Sequence, residues 1–341
     1  MSPFKNALLL SSLVISSQLL GVAPTPTVPP TTSRVFNPND VKDSHRIWIE
    51  EDVLLWQAME GGLDFATKSD SSSAIRNGRV HGLDFEWDFG CRLGVGYKVP
   101  HDKWDLFLGY TYIHAHARNE VNTQEGAIFP SWQAPFSTTG TYVTQAKMQG
   151  SGNINVGDLE LGRTCFAGKW LTIRPFIGVR GAVIDQHFEI QYKGGNAVAP
   201  GDTYENHLSN DFWGIGGRMG ADTLWGLGRG FGVYANGAFA LLSGHFDVKQ
   251  VEKNHSHQTF VNLRGDEDPL VVTAEAALGV QWDYLFSKDK YHVGVKLGWE
   301  FNLFTDQNRL RRFVSSTNTG YRNNNDDLAF QGVTLGMRFD F

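Results

Sequence analysis

Val333-Thr-Leu-Gly-Met-Arg-Phe-Asp-Phe341 closes the chain. Val333, Leu335, Met337, Phe339 and Phe341 are apolar, while Thr334, Gly336, Arg338 and Asp340 between them are small or polar. Period two predicts a strand with one apolar and one wet face. Chain ends usually fray. An aromatic terminus makes sense if the last strand pairs with the first and closes a barrel, which leaves no open edge.

Working outward from the terminus, the same alternation recurs. Phe85 to Val99 alternates for fifteen residues, with Phe85, Trp87, Phe89, Cys91, Leu93, Val95, Tyr97 and Val99 on one face. A soluble strand is usually about five or six residues long, so this length suits a tilted membrane strand. Trp104–Tyr112, Ile154–Phe166, Leu171–Val183, Phe212–Trp225, Phe231–Leu241, Leu270–Tyr284 and Tyr291–Leu303 read the same way. Leu54–Phe65 is the predicted first strand, with Trp56, Ala58, Leu63 and Phe65 as its apolar set and a bulge at Gly61-Gly62. Short turns alternate with long polar segments at Ala117–Ala146, Ile190–Ser209, Glu252–Asp268 and Thr305–Asp326; Thr67–Val80 also reads as a loop. The expectation is an all-β fold: a transmembrane antiparallel up-and-down β-barrel of about ten strands, or twelve if Ala117–Ala146 or Ile190–Ser209 hides a hairpin.

Aromatic residues flank every short turn: Tyr97 and Trp104, Phe166 and Trp170, Trp225 and Phe231, Tyr284 and Tyr291. Such girdles sit where hydrocarbon meets headgroups. Trp87, Tyr112, Trp213 and Phe301 would form the opposite rim. At ~3.3 Å per residue and a tilt of ~40°, Trp87 to Tyr97 spans about 25 Å, the height of the apolar band.

Composition agrees. Charged residues make up 19% of the chain, below the usual quarter or so. A net charge of -6 argues against nucleic-acid binding. At the N-terminus, Lys5 precedes an apolar stretch from Ala7 to Val22, which predicts a signal peptide over residues 1–23. Residues 24–50 read as a Pro/Thr-rich linker and 51–341 as the barrel. The expected home is the bacterial outer membrane, with its lipid around the wall and the barrel-assembly machinery engaging the C-terminal strand. Cys91 and Cys165 have no metal-ligand or redox spacing.

Several stretches carry a resemblance. Gly336-Met-Arg-Phe-Asp-Phe341 resembles the C-terminal signal of outer-membrane proteins. Together with Trp104-Asp-Leu-Phe-Leu-Gly-Tyr-Thr-Tyr112, Arg174-Pro-Phe-Ile-Gly-Val-Arg-Gly-Ala182 and Gly230-Phe-Gly-Val-Tyr-Ala-Asn-Gly-Ala-Phe239, it is similar to the major outer-membrane protein family of Legionella and chlamydia-related bacteria. The resemblance implies a surface-exposed barrel with pore activity for small solutes or ions, and brings no catalytic motif.

If apolar residues face lipid, their alternates face the lumen. That rule assigns Arg92, Lys98, Arg174, Arg180, Arg218, Lys296 and Arg338 inward, with Glu86, Asp88, Asp222, Glu275, Asp283, Glu300 and Asp340 as the acidic set; Arg92, Lys98, Arg174, Arg180, Arg218, Asp222, Glu275, Lys296, Glu300 and Arg338 are the expected pore lining. Those charges would either select solutes or pair across the lumen and plug it; the resemblance favours the pore. The other reading is a closed scaffold acting as surface antigen or adhesin through its loops. His114/His116 and His255/His257 share faces but lack a third metal ligand. Asp84, Asp88, His114 and His116 are the positional candidates for a rim hydrolase, yet no pairing is visible in sequence. Neither enzyme activity nor a metal or other cofactor is expected.

Overall fold

Which face of each strand meets lipid is written in the alternation, and the sheet follows it. A computed structural model describes residues 46–72, 77–99, 103–133, 140–254, 259–286, 291–313 and 321–341. The signal peptide and most of the linker fall outside the described residues.

Ten strands form the barrel: β1 (Ile47–Glu60), β2 (Trp87–Lys98), β3 (Trp104–Asn122), β4 (Gln145–Arg163), β5 (Leu171–Lys193), β6 (Tyr204–Gly228), β7 (Phe231–Asn254), β8 (Leu270–Phe286), β9 (Tyr291–Asn308) and β10 (Asp326–Asp340). Each pairs antiparallel with its neighbours in sequence. The ring closes where β1 meets β10, in register from Trp48↔Asp340 to Glu60↔Leu328. Phe341 extends that ladder, donating to the Ile47 carbonyl at 3.0 Å and accepting from its N–H at 3.4 Å. The terminal aromatic is therefore part of the seam.

Period-two alternation places Leu93, Val95, Val280, Leu297 and Met337 on the outer surface. Val295 shares that face. Tyr97, Trp104, Phe166, Trp170, Trp225, Phe231 and Tyr284 are exposed around the short-turn end. At the other rim Trp87, Tyr112 and Trp213 are exposed as expected, but Trp299 takes the place expected of Phe301 and meets Trp87 edge-on at 6.1 Å. One residue breaks the pattern. Glu51 is exposed on the lipid face of β1, directly between Leu93 and Met337.

The turn from β6 to β7 is tight because Gly228, Arg229 and Gly230 all take positive φ, at 103°, 56° and 85°. Glycine enters that region without a Cβ penalty.

The strands run past the membrane. β5 has 23 residues and β6 has 25, where about 9–11 cross the bilayer. The long polar segments predicted as loops are therefore strand at their ends, which continue the barrel wall outward. The count is ten, not twelve. β1 begins at Ile47 rather than Leu54, inside the stretch read as linker. Gly61-Gly62 ends it instead of bulging it, with Gly62 at φ 76°. Thr67–Val80 contributes strand pieces: Ala66–Ser69 lies between Gly78–His81 and Ala127–Pro130 in a small sheet. Arg311–Phe313 pairs antiparallel with Tyr321–Asn323, and Thr259–Glu267 pairs with the outer part of β7.

Candidate functional site

Within the membrane band, the inward face carries the charges, with Trp48, Phe107 and Phe176 among them. Ten of the fourteen charged residues assigned inward from sequence line one cavity of about 300 Å³. Lys103 and Thr164 at the short-turn end also line it, so it reaches the periplasmic rim. Asp283 and Asp340 pair with His292 beside it, whereas Glu86 is exposed and Asp88 turns to His116 instead. A ten-stranded wall leaves little interior beyond what side chains fill, and ion pairs occupy much of it.

Those pairs form connected groups. Arg174 reaches Asp105 at 2.6 Å, Asp222 at 2.9 Å and Glu160 at 3.0 Å. Arg218 bridges Glu275 at 2.8 Å and Glu160 at 3.2 Å, while Arg180 holds Asp158 at 2.7 Å and also pairs with Glu275. On the opposite wall Arg92 meets Glu300 at 2.8 Å and Asp52 at 3.2 Å, and Lys296 meets Asp52 at 3.0 Å. Nearer the rim Arg338 joins Asp340 at 2.8 Å to Glu50 at 3.2 Å, and Lys98 meets Asp340 at 2.9 Å. His292 sits between Asp340 and Asp283 at 2.7 and 3.0 Å. The planar guanidinium fork lets one arginine serve two or three carboxylates.

Sequence parity found the cations and missed half of their partners. Glu50 and Asp52 precede the expected start of β1. Asp105, Asp158 and Glu160 occupy alternate positions of recognised strands, so the same rule would have found them. Among the described residues of the band, the inward cations are Arg92, Lys98, Arg174, Arg180, Arg218, Lys296 and Arg338. The inward carboxylates are Glu50, Asp52, Asp105, Asp158, Glu160, Asp222, Glu275, Asp283, Glu300 and Asp340. Acids outnumber bases by three.

Above this chamber the inward face changes character. Trp56, Ile113, Ile154, Ile184, Phe212, Leu242, Phe304 and Phe330 are buried together as one apolar septum across the lumen. Trp56 packs at a tilt against Phe330, ring centroids 6.3 Å apart, donates its indole N–H to Thr334 Oγ1 at 3.2 Å, and has the Arg92 guanidinium over its ring at 5.5 Å. Trp56 and Ala58, expected to join the lipid face, point inward. Parity is uninformative here because apolar residues occupy both faces of β1.

Beyond the septum lies a buried polar layer. Gln186 donates to Glu60 Oε2 at 2.6 Å, and Asn210 donates to Gln186 Oε1 and to the Gln307 carbonyl, both at 2.8 Å. Glu60 Oε1 has no partner. Burial pushes the Glu60 carboxyl up to about 8.

The rim candidates do meet, on the outer surface rather than in the mouth. His116 Nδ1 lies 2.8 Å from Asp88 Oδ1, His114 Nδ1 lies 2.6 Å from Asn153 Oδ1, and the two imidazoles are 4.3 Å apart. Asp84 contributes its carbonyl to the Arg118 N–H at 3.0 Å. Among the described residues no group of three or more His, Cys, Asp or Glu side chains could hold a metal ion. His255 and His257 lie outside the described residues. Cys91 and Cys165 are free and exposed.

The Legionella pneumophila major outer membrane protein precursor family matches residues 42–341, the entire barrel. The chain belongs to that family. Membership and the closed antiparallel barrel together locate it in the bacterial outer membrane. No curated protein matches the chain. Solved structures similar to it include the outer membrane protease OmpT from Escherichia coli, 10% identical over 89% of this chain and 100% of that one, with a TM-score of 0.44. The Pseudomonas putida toluene transporter TodX is 11% identical over 91% and 95%, with a TM-score of 0.33. A Pseudomonas aeruginosa FadL homologue is 7% identical over 89% and 91%, with a TM-score of 0.27. Within the Legionella family, then, this member has a charged chamber on the periplasmic side and an apolar septum on the outer side.

Proposed function

We propose that the chain is a gated pore-forming protein of the outer membrane, passing small ions and solutes, and that the form described here is shut. The observation that carries this reading is the charge-lined chamber running from the periplasmic rim to the septum. A structural plug alone would be served by apolar side chains, since replacing buried ion pairs with packed apolar groups is often neutral or stabilising. In a low-dielectric wall these charges act strongly on a passing ion, and the excess of carboxylates favours cations. The chamber is a conduit, not a catalytic centre: its charged groups are committed to one another in pairs.

The test is a planar-bilayer recording of protein shown to be folded by heat-modifiable migration. Wild type should open rarely, and Trp56→Ala combined with Phe330→Ala should raise open time and conductance. If both chains stay silent, the pore reading fails. The septum then supports the second reading, a closed barrel that presents its outer loops as antigen or adhesin.

A further inference from the structure

The outer mouth holds an arginine without an acid. Arg312, in the connection between β9 and β10, has no carboxylate within 4 Å among the described residues, although Arg309 and Arg311 beside it both reach Glu267. Its Nη2 instead donates to the carbonyls of Asp64 at 2.8 Å and Gly62 at 3.0 Å, in the connection after β1. Its Nε has no partner. The guanidinium lies over the Trp132 ring, 4.7 Å from the centroid. Burial pushes this group below its usual value.

Trp132 belongs to a third connection, between β3 and β4, and is 1% exposed. Its indole donates to the Asp64 carbonyl at 3.0 Å. Its backbone is tied to the far wall: Tyr192 Oη on β5 accepts from its N–H at 3.4 Å, and Asn206 Nδ2 on β6 donates to its carbonyl at 3.5 Å. In a ring of ten strands, β5 and β6 lie opposite β10 and β1. The stack of Arg312 on Trp132 thus joins the two sides of the mouth, beside the bond that Tyr192 Oη donates to the Phe65 carbonyl at 2.6 Å.

We infer that Arg312 and Trp132 form a clasp that holds three outer connections shut over the barrel mouth, so that entry from outside requires this stacked pair to part. The chemistry suits a contact that opens. A half-buried cation with no carboxylate in contact is held by a ring face and two carbonyls, and water can replace all three. Arginine is needed because its plane stacks and forks at once, which a lysine ammonium cannot do. As a gate the clasp rests on the pore reading; as a lid it does not.

The experiment uses the full chain, with Cys91→Ser and Cys165→Ser, reconstituted with its outer face accessible. Leu208→Cys places a thiol at an inward position of β6 that is 3% exposed and makes no contact used by the clasp. A membrane-impermeant maleimide added outside should label it slowly. Arg312→Ala or Trp132→Ala should accelerate labelling about tenfold, the order of one desolvated cation–π contact, with Arg312→Lys close to Arg312→Ala. Heat-modifiable migration checks the fold of each variant; if Trp132→Ala fails it, the two Arg312 variants decide. Equal labelling with the clasp intact and broken overturns the proposal. Accelerated labelling keeps the lid even if the chain lacking the septum, Trp56→Ala with Phe330→Ala, gives no conductance; that silence removes the pore alone. Leu208→Cys still shielded in every clasp variant removes the lid, whether or not the septum variant conducts.

Discussion

The two halves of this barrel obey one alternation and fill it oppositely. In the membrane band the outward residues are apolar and the inward ones charged, as at Leu93 and Arg92. In the outer half of the barrel the inward residues are apolar and the outward ones polar: Ile184, Phe212 and Phe246 are buried while Asp185, Asp211 and Asp247 stand outside in register. The first half is inverted relative to a soluble barrel and the second is a soluble barrel. What decides is the solvent on the outside. Lipid demands apolar residues outside and leaves polarity to the lumen, whereas water reverses both.

Breaking each half where it is strongest should cost most. Arg180→Leu strips the partner from Asp158 and half the pairing from Glu275, and the expected loss is about 3–5 kcal/mol. Phe330→Ala removes a side chain from the septum and should cost about the same by leaving a cavity. The two should differ in kind. Urea unfolding in vesicles should show both destabilised, but only Phe330→Ala should raise conductance. If Arg180→Leu is as stable as wild type, the ion-pair network contributes no net stability to the lower half.

The outer surface sharpens the contrast at lower cost. Leu93→Arg puts a cation at mid-bilayer and should lose ~2–4 kcal/mol. The reverse change lies beside it: Glu51 is an outward carboxylate between Leu93 and Met337, so Glu51→Leu should gain stability, by about 1 kcal/mol in the same assay. A loss on Glu51→Leu would show that this carboxylate is not facing plain lipid.

Much of this was legible. Period two in Phe85–Val99 and Leu270–Tyr284 gave the lipid face, and the short turns gave the order of strands. Ten of the fourteen charges assigned inward line a common cavity because parity and the cost of charge in lipid point the same way; Glu86 and Asp88 do not, because they lie at the outer end of β2, beyond the band. Legibility failed where outside and inside stop differing in chemistry. In β1, Ile49 and Val53 face out while Leu54 and Trp56 face in, so no apolar period marks the face. The strand extensions in Ala117–Asn122 and Tyr204–Phe212 were hidden by polar residues on their wet outer side. The septum is assembled from β1, β3, β4, β5, β6, β7, β9 and β10, and no local pattern announces a contact across the lumen. The Arg312–Trp132 pair is 180 residues apart in sequence and lies in segments with no periodicity.

The smallest expected effect separates the polar layer of the outer half from the charged chamber below it. Burial, with the Asp326 charge nearby, raises the Glu60 carboxyl from an ordinary 4.5 to about 8, and Gln186 donates to it at 2.6 Å. At neutral pH the native chain keeps this proton and the unfolded chain has released it. Stability therefore falls as pH rises between about 4.5 and 8, because the unfolded state binds fewer protons there. Below the ordinary value both states are protonated, and above about 8 both are ionised, so the effect is flat on either side. Raising the pH from 7 to 8.5 should cost about 1 kcal/mol. Glu60→Gln keeps a neutral hydrogen-bonding group of similar size and should remove that loss. The measurement is the urea midpoint of both chains at about pH 5.5 and 7, on the slope of the linkage, and at about pH 8.5, above it. The gap between Glu60→Gln and wild type should widen with pH up to 8.5. A gap that stays constant would mean that Glu60 is ionised in the native barrel and that water reaches the layer above the septum.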